Sequence, residues 1–328
     1  VTRVFVYEFI TAGGLFAMPG APEPSGSLLD EGTLMRSAVV DDLLDVGVEV
    51  SLLRDQRLAP LAKPGCEETV IDSADTEKTA FAAACEAADE VLVIAPEFGA
   101  LLLERVLWAE AGPARLVSPG SDFTAIAGDK WNTYRRWTRA RVPTPPTWLA
   151  SEFDATSAGK TSRWVRKPRD GAGSQAIDFY DSGEKFDGAA EAIVQTYCEG
   201  LHASCALLSD AKQIVCLPPG TQKIDPCNRF QYRGGCWPLS GDLTERAQAL
   251  AKQAATALPP FRGYIGVDMI LGAKDGDDFA IEINPRLTTS FFGLRRLCRG
   301  NLSAAMLAFA MGDAIELQFS SEAYDLDL

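Results

Sequence analysis

Near the end of the chain two apolar runs, "GYIGVDMIL" (263–271) and "FAIEIN" (279–284), are separated only by the polar stretch "GAKDGDD" (272–278). So short a connection makes the runs antiparallel neighbours in one sheet. Glu282 and Asn284 stand two residues apart, and the period of a strand sends both side chains to the same face. Asp268, set among apolar residues in the first run, can join them there. Pro285 then ends the strand and Arg286 follows. Taken singly, each polar residue reads as a solvent-facing position of a half-exposed sheet. Taken together with Arg286, the trio reads as a metal site, because Mg²⁺ prefers a few hard oxygen ligands and completes its shell with phosphate and water.

The chain ahead of this hairpin changes character along its length. "RVFVYE" (3–8), "VEVSLL" (48–53), "VLVIA" (91–95) and "RLVS" (115–118) are strand-like and alternate with helical stretches, the first around Leu28–Val46. Such β-α alternation predicts a doubly wound parallel unit over residues 1–120. The Gly/Pro-rich segment 12–26 follows the first strand, at the edge where open α/β sheets bind ligands. A connector without a ligand is the alternative. Two helices are expected at 121–127 and 129–140, followed by a stiff link, "VPTPPT" (142–147), and short strands at 163–168, 175–180 and 192–197. From 198 onward the strands lengthen, with helices at 242–257 and 301–311. The fold class expected is therefore mixed: a parallel α/β unit over 1–120, then two α+β units over 121–197 and 198–328.

Bulk properties exclude several roles. The 328 residues carry 31 Lys+Arg against 45 Asp+Glu, a net charge of −14, which argues against a nucleic-acid groove. A nucleotide remains compatible with that charge if a few cations are focused in a cleft. No apolar run reaches the roughly 18 residues needed to span a membrane. The first nine residues read as a strand rather than a secretory leader. The eight cysteines include no C-x-x-C pair and read as plain thiols of a reducing, cytoplasmic compartment.

Two further segments suggest phosphate. In "RKPRDGAGS" (166–174) a strand ends on Lys167 and enters a loop whose small residues, Gly171, Ala172, Gly173 and Ser174, let backbone N–H groups approach oxygens closely. The same stretch serves equally as a surface hairpin, and it is neither a Walker A motif nor a dinucleotide fingerprint. Lys130, in "GDKWNTYRRW", opens a helix and on its own reads as part of a solvated face.

In this order, Lys130, Lys167 with its glycine-rich loop, "VQTYCEG" (194–200), Asp268 and "EINPR" (282–286) resemble the ATP-grasp superfamily, over about residues 121–300. The resemblance implies two α+β subdomains clamping ATP, and a carboxylate activated as an acyl phosphate for attack by an amine. It assigns Lys130 and Lys167 to the phosphates, 171–174 to the lid over them, and Gln195, Thr196, Tyr197 and Cys198 to the adenine hinge, with main-chain donors at Thr196 and Cys198. Asp268, Glu282 and Asn284 become ligands of Mg²⁺ (or Mn²⁺), and Arg286 meets the transferred phosphoryl group. Where many members hold the ribose with a glutamate two residues after the hinge glycine, this chain has His202, its one histidine. The ribose then falls to His202 or to Glu199.

Four segments narrow the resemblance: "FVYEFITAGGL" (5–15), "LLDEGTLMRSAVVDDLL" (28–44), "QYRGGCWP" (231–238) and "NPRLTTS" (284–290). They look like the archaeal tyramine–glutamate ligases of methanofuran biosynthesis and their bacterial relatives. That implies small-molecule partners, a glutamate-like carboxylate and a primary amine, with no nucleic acid or membrane, and it admits a homodimer. Arg233, Arg295 and Arg296 are candidates for an α-carboxylate. Thr288, Thr289 and Ser290 either line the carboxylate site or cap the helix that follows. Glu8 either receives a substrate ammonium or is a strand-end carboxylate in solvent. A carboxylase or phosphotransferase on the same fold, and a nucleotide-binding module without turnover, are the other readings.

Overall fold

Alternation of apolar residues on both faces of the first strand is what a parallel sheet covered on both sides requires. In the computed structural model, which describes residues 1–154, 163–171, 177–181, 191–225 and 231–327, that sheet holds β1 (Arg3–Glu8), β2 (Glu49–Asp55), β3 (Cys66–Ile71), β4 (Glu90–Ile94) and β5 (Arg115–Leu116). Their order is β3-β2-β1-β4-β5, with every pairing parallel. Val4 and Val6 of β1 pack under α1 (Gly26–Asp45) with Met35, Val39 and Leu43. Phe5 and Tyr7 face the opposite way, toward α2 (Ala74–Ala87) and α3 (Leu101–Glu110). The strand β3 escaped the sequence pattern. It is an exposed edge, "CEETVI", with three polar residues in succession and little apolar periodicity to reveal it.

Behind β1 lies a fully buried charge cluster. Arg105 of α3 places Nη2 3.0 Å from each carboxylate oxygen of Glu77 on α2, and the Tyr7 hydroxyl donates to the same carboxylate. The guanidinium also lies 4.9 Å from the centre of the Phe9 ring.

Next come α4 (Ser121–Ala127) and α5 (Lys130–Ala140), as expected. Asp129 caps α5 by accepting from the N–H groups of Trp131 and Asn132, which fixes Lys130 as its first residue. A small antiparallel sheet follows, β6 (Thr147–Leu149), β7 (Arg163–Pro168), β8 (Asp178–Asp181) and β9 (Ala192–Thr196), in the order β6-β9-β7-β8. Its core is slight: Trp164, Ala192 and Val194, with Ala150.

The remaining strands form a larger antiparallel sheet: β10 (Leu201–Asp210), β11 (Ile214–Cys216), β12 (Gly220–Asp225), β13 (Gln231–Trp237), β14 (Arg262–Leu271), β15 (Phe279–Asn284) and β16 (Tyr324–Asp327). Along it run β15-β14-β10-β12-β13-β16, with β11 pairing beside β10. Cys205, Leu207, Ile265 and Val267 meet α6 (Asp242–Thr256) through Ala247, Leu250 and Ala251. The other face meets α7 (Ser290–Leu297) and α8 (Leu302–Ala310). Phe291, Leu294 and Met306 of those helices belong to the same apolar cluster as α1 and one face of the N-terminal sheet. First and last parts of the chain thus share a core. Asp42 of α1 seals the joint, receiving Arg295 at 2.7 Å and the Ser303 hydroxyl at 2.8 Å. Among the described residues the architecture is the mixed parallel and antiparallel class the sequence implied.

Replacing Arg105 by Met strands the Glu77 carboxylate without its counter-charge. The variant should lose about 3–5 kcal/mol of stability, measured as a lowered urea midpoint with an unchanged slope.

Candidate active site

The hairpin that opened the sequence reading forms as expected. β14 and β15 are antiparallel, with Asp268 opposite Glu282 and Gly266 opposite Asn284. Asn284 donates its side-chain N–H to Asp268 Oδ2 at 3.0 Å, and Gln222 of β12 donates to Oδ1 at 2.8 Å. The register slips by one residue between Asp268 and Met269, leaving Ile281 as the extra residue of a β-bulge. Ala280 and Ile283 keep to the α6 core, while Ile281 and Glu282, although consecutive, both line the cleft. Simple alternation had grouped Ile281 with the buried run; the bulge turns it out.

The cleft opens to solvent. It runs along β14, where a rise of about 3.3 Å per residue separates Tyr264 from Ile270 by roughly 20 Å. At one end Ile270 pairs with His202, and Val165, Ile177 and the 195–198 segment complete an apolar wall. Asp268 and Glu282 occupy the middle. At the other end Thr288 packs over Gly266 and bonds the Tyr264 hydroxyl at 3.1 Å.

Two lysines answer the carboxylates. Lys130 reaches Glu282 at 3.4 Å and donates to the carbonyl of Gly171 at 3.1 Å. Lys130 is thus tied to Glu282 of the cleft, and the solvated-face reading fails. Lys167 is buried on β7; burial pushes its ammonium down to about 8, with Glu282 acting against this and Lys130 adding to it. Burial drives the Asp268 carboxyl up to about 7, reinforced by Glu282 opposite. Glu282 ends below its ordinary value, since Lys130 and then Lys167 outweigh its burial.

Arg286 leaves the strand after Pro285 and crosses to the N-terminal sheet. Its Nε and Nη2 donate to the two oxygens of Glu97 at 2.9 and 3.2 Å. Glu97 lies on the loop after β4, far away in sequence, and no local pattern marks it. Gln222 and Tyr232, from β12 and β13, also line the cleft and were missed as site residues; both sit on strands whose pairing the sequence did not give.

The other expected residues divide. Thr288, Thr289 and Ser290 all line the cleft. Thr289 precedes α7 with no side-chain cap bond, so the cap reading fails at that position. At the hinge, Gln195, Thr196, Tyr197 and Cys198 line the apolar end. The Thr196 N–H is committed to the Pro146 carbonyl at 2.9 Å, which removes it as a main-chain donor, while its buried hydroxyl has no partner among the described residues. His202 lines the cleft, its imidazole held toward the neutral form by burial, whereas Glu199 is exposed and off the lining. Gly171 bonds Lys130 as described; Ala172, Gly173 and Ser174 lie outside the described residues.

Four candidates sit elsewhere. Glu8 is folded back on its own turn, accepting from the N–H groups of Ile10 and Thr11 and from the Thr11 hydroxyl, neither in solvent nor in the cleft. Arg233 is exposed on β13, pointing away from Tyr232 as strand alternation demands. Arg295 is engaged by Asp42, and Arg296 is exposed.

Comparison with known families now bears on this arrangement. The family described as ATP-grasp domain matches residues 127–290, half of the chain, and the pre ATP-grasp 3 domain matches 48–126. The chain belongs to the ATP-grasp superfamily. Among its ATP-grasp relatives are the tyramine–L-glutamate ligases of Methanocaldococcus jannaschii and Methanocaldococcus fervens, each 26% identical. The first alignment covers 100% of this chain and 97% of the relative, the second 89% of each. An ATP-grasp superfamily protein from Archaeoglobus fulgidus shares the fold with a TM-score of 0.74 at 24% identity, over 96% of this chain and 90% of that one. Biotin carboxylase from Campylobacter jejuni also superposes at 0.74, with 15% identity, over 97% and 73%.

The residues present fit a metal-bound nucleotide. Asp268, Glu282 and the Asn284 carbonyl oxygen offer hard donors. Among the described residues no group of three or more His, Cys, Asp or Glu could hold a metal alone, so the ion would share its shell with phosphate. The Thr196 hydroxyl, unpaired among the described residues, adds an unmet polar group at the apolar end.

The bulge separates two neighbouring isoleucines by role. Ile283→Ala should cost about 2–5 kcal/mol of stability and leave ATP affinity unchanged. Ile281→Ala should weaken ATP about tenfold with a near-native melting temperature, measured by calorimetric titration beside thermal unfolding.

Proposed function

We propose that this protein is an ATP-dependent carboxylate–amine ligase that joins the γ-carboxyl of L-glutamate to a primary amine such as tyramine, releasing ADP and phosphate. The observation that carries the reading is the convergence of Asp268, Glu282, Asn284, Lys130, Lys167 and Arg286 on one cleft with an apolar wall at one end. Likeness to the two tyramine–L-glutamate ligases, one across the full chain, supports the substrates. Residues 1–120, 121–197 and 198–328 act as the working units of this ligase, each carrying one of the three sheets.

A carboxylate is a poor electrophile, and ATP supplies the phosphoryl group that makes it reactive. Transfer of that group calls mainly for positioning and for neutralising charge. The segment 195–198 and Ile270 receive the base, with His202 near the ribose. Lys130 and Lys167 hold the phosphate chain. Asp268, Glu282 and Asn284 would bind Mg²⁺, which offsets phosphate charge and fixes its oxygens. Arg286, kept in place by Glu97, faces the transferred group and then the tetrahedral oxygen formed on amine attack. One fixed donor at such a position is worth about 3–4 kcal/mol. Thr288, Thr289 and Ser290 supply hydroxyls for the carboxylate substrate. Among the described residues no helix is long and apolar enough to cross a membrane. The need for ATP supports a cytoplasmic setting for the reaction.

With ATP, glutamate and tyramine together, ADP release should depend on the amine, and mass spectrometry should find the amide. ADP release that ignores the amine overturns the ligase reading. Glu282→Gln should lower kcat at least about a hundredfold while the protein melts near the wild-type temperature. Chelation with EDTA should stop turnover, and Mg²⁺ should restore it, with Mn²⁺ a partial substitute. Full turnover in Glu282→Gln excludes the metal site.

A further inference from the structure

The amine end of the reaction still lacks a counter-charge. Glu8, the sequence candidate, is consumed by its own turn. Its position nevertheless matters, because Gly32 of α1 lies directly against it: a Cβ at Gly32 would come within 2.6 Å of Glu8 Oε1. That close approach presses the first turns of α1 onto the end of β1 and brings Ser27 and Glu31 to the wall of the cleft.

Glu31 differs from the other carboxylates lining that cleft. Asp268 accepts from Gln222 and Asn284, and Glu282 is paired with Lys130. Glu31 has no hydrogen-bond or ion-pair partner among the described residues. Arg286 is near enough to act on it electrostatically, yet its guanidinium is engaged by Glu97. Helix α1 packs on α7, which begins at Ser290 directly after Thr288 and Thr289, and this sets Glu31 at the Thr288 end of the cleft, away from the 195–198 segment. A half-buried carboxylate left without a partner is costly unless a cation arrives. Nearby oxygens of Ser27, Thr289 and Tyr232 can accept further hydrogen bonds, and a primary ammonium has three protons to give.

We propose that Glu31 binds the primary ammonium group of a substrate, an assignment that rests on the ligase reading above. Two sources share this chemistry: the amine that will attack, and the α-ammonium of the amino acid that will be activated. Arg286 then serves the anionic partner and Glu31 the cationic one, from opposite units of the chain.

The test compares wild type with Glu31→Gln, which keeps size and removes charge, and with Glu31→Asp, which keeps charge. Steady-state ADP release is measured with ATP saturating, varying tyramine and L-glutamate in turn. Glu31→Gln should raise one KM about ten- to a hundredfold, with ATP affinity by calorimetry retained and Glu31→Asp recovering part of the loss. A raised tyramine KM assigns the site to the attacking amine; a raised glutamate KM assigns it to the amino acid. Unchanged KM values for both overturn the proposal while the ligase reading stands. Should wild type show no amine-dependent turnover, that reading falls by itself. Calorimetric titration of tyramine and of L-glutamate into protein saturated with a non-hydrolysable ATP analogue then decides. Binding that Glu31→Gln loses supports the ammonium site; equal binding, or none to wild type, overturns it.

Discussion

Asp268 and Glu282 face each other across two strands, and two half-buried carboxylates so placed need compensation. Much of the surrounding structure is that compensation. Gln222 arrives from β12 and Asn284 from two residues along β15, each donating to Asp268. Lys130 arrives from the start of α5, and Lys167 from the small sheet. The three antiparallel strands and the small sheet are thus tied to one point by charge. Lys167 gives up part of its own proton affinity to be there, being buried. A cluster in which burial and like charge displace titrations this far is organised for a ligand rather than for stability.

The legible part of this site is the part that one strand writes by itself. Glu282 and Asn284 follow from period two, and Asp268 from a connection too short for anything but a hairpin. Lys167 and Lys130 became legible only through family order, since a lysine at a strand end or in a first helical turn has many ordinary uses. Glu97, Gln222 and Glu31 were not legible, because their roles come from packing between segments distant in sequence. Ile281 misled for a different reason: a bulge shifts the register by one and reverses a side chain without altering composition. The edge strand β3 was lost because exposed edges carry polar residues on both faces.

The acid pair Glu8 and Glu31 shows how sequence proximity can point at the wrong partner. Glu8 ends the first strand at the edge where ligands bind in open α/β sheets, so it was a reasonable choice. The turn that follows presents two N–H groups and a hydroxyl within reach, and a buried carboxylate takes the donors nearest to it. Its contribution is steric, since it sets how closely α1 can lie.

The contact between Arg286 and Glu97 divides the molecule in an instructive way. Lys167, the 195–198 segment, Asp268 and Glu282 all follow residue 129, whereas the far end of the cleft is walled partly by α1. Such a plan makes the first third of the chain an exchangeable part, able to present a new wall to new substrates while the phosphate machinery stays as it is. The clasp limits the exchange. Any replacement must bring an acid at the place of Glu97, or Arg286 is left in the cleft wall without its counter-ion.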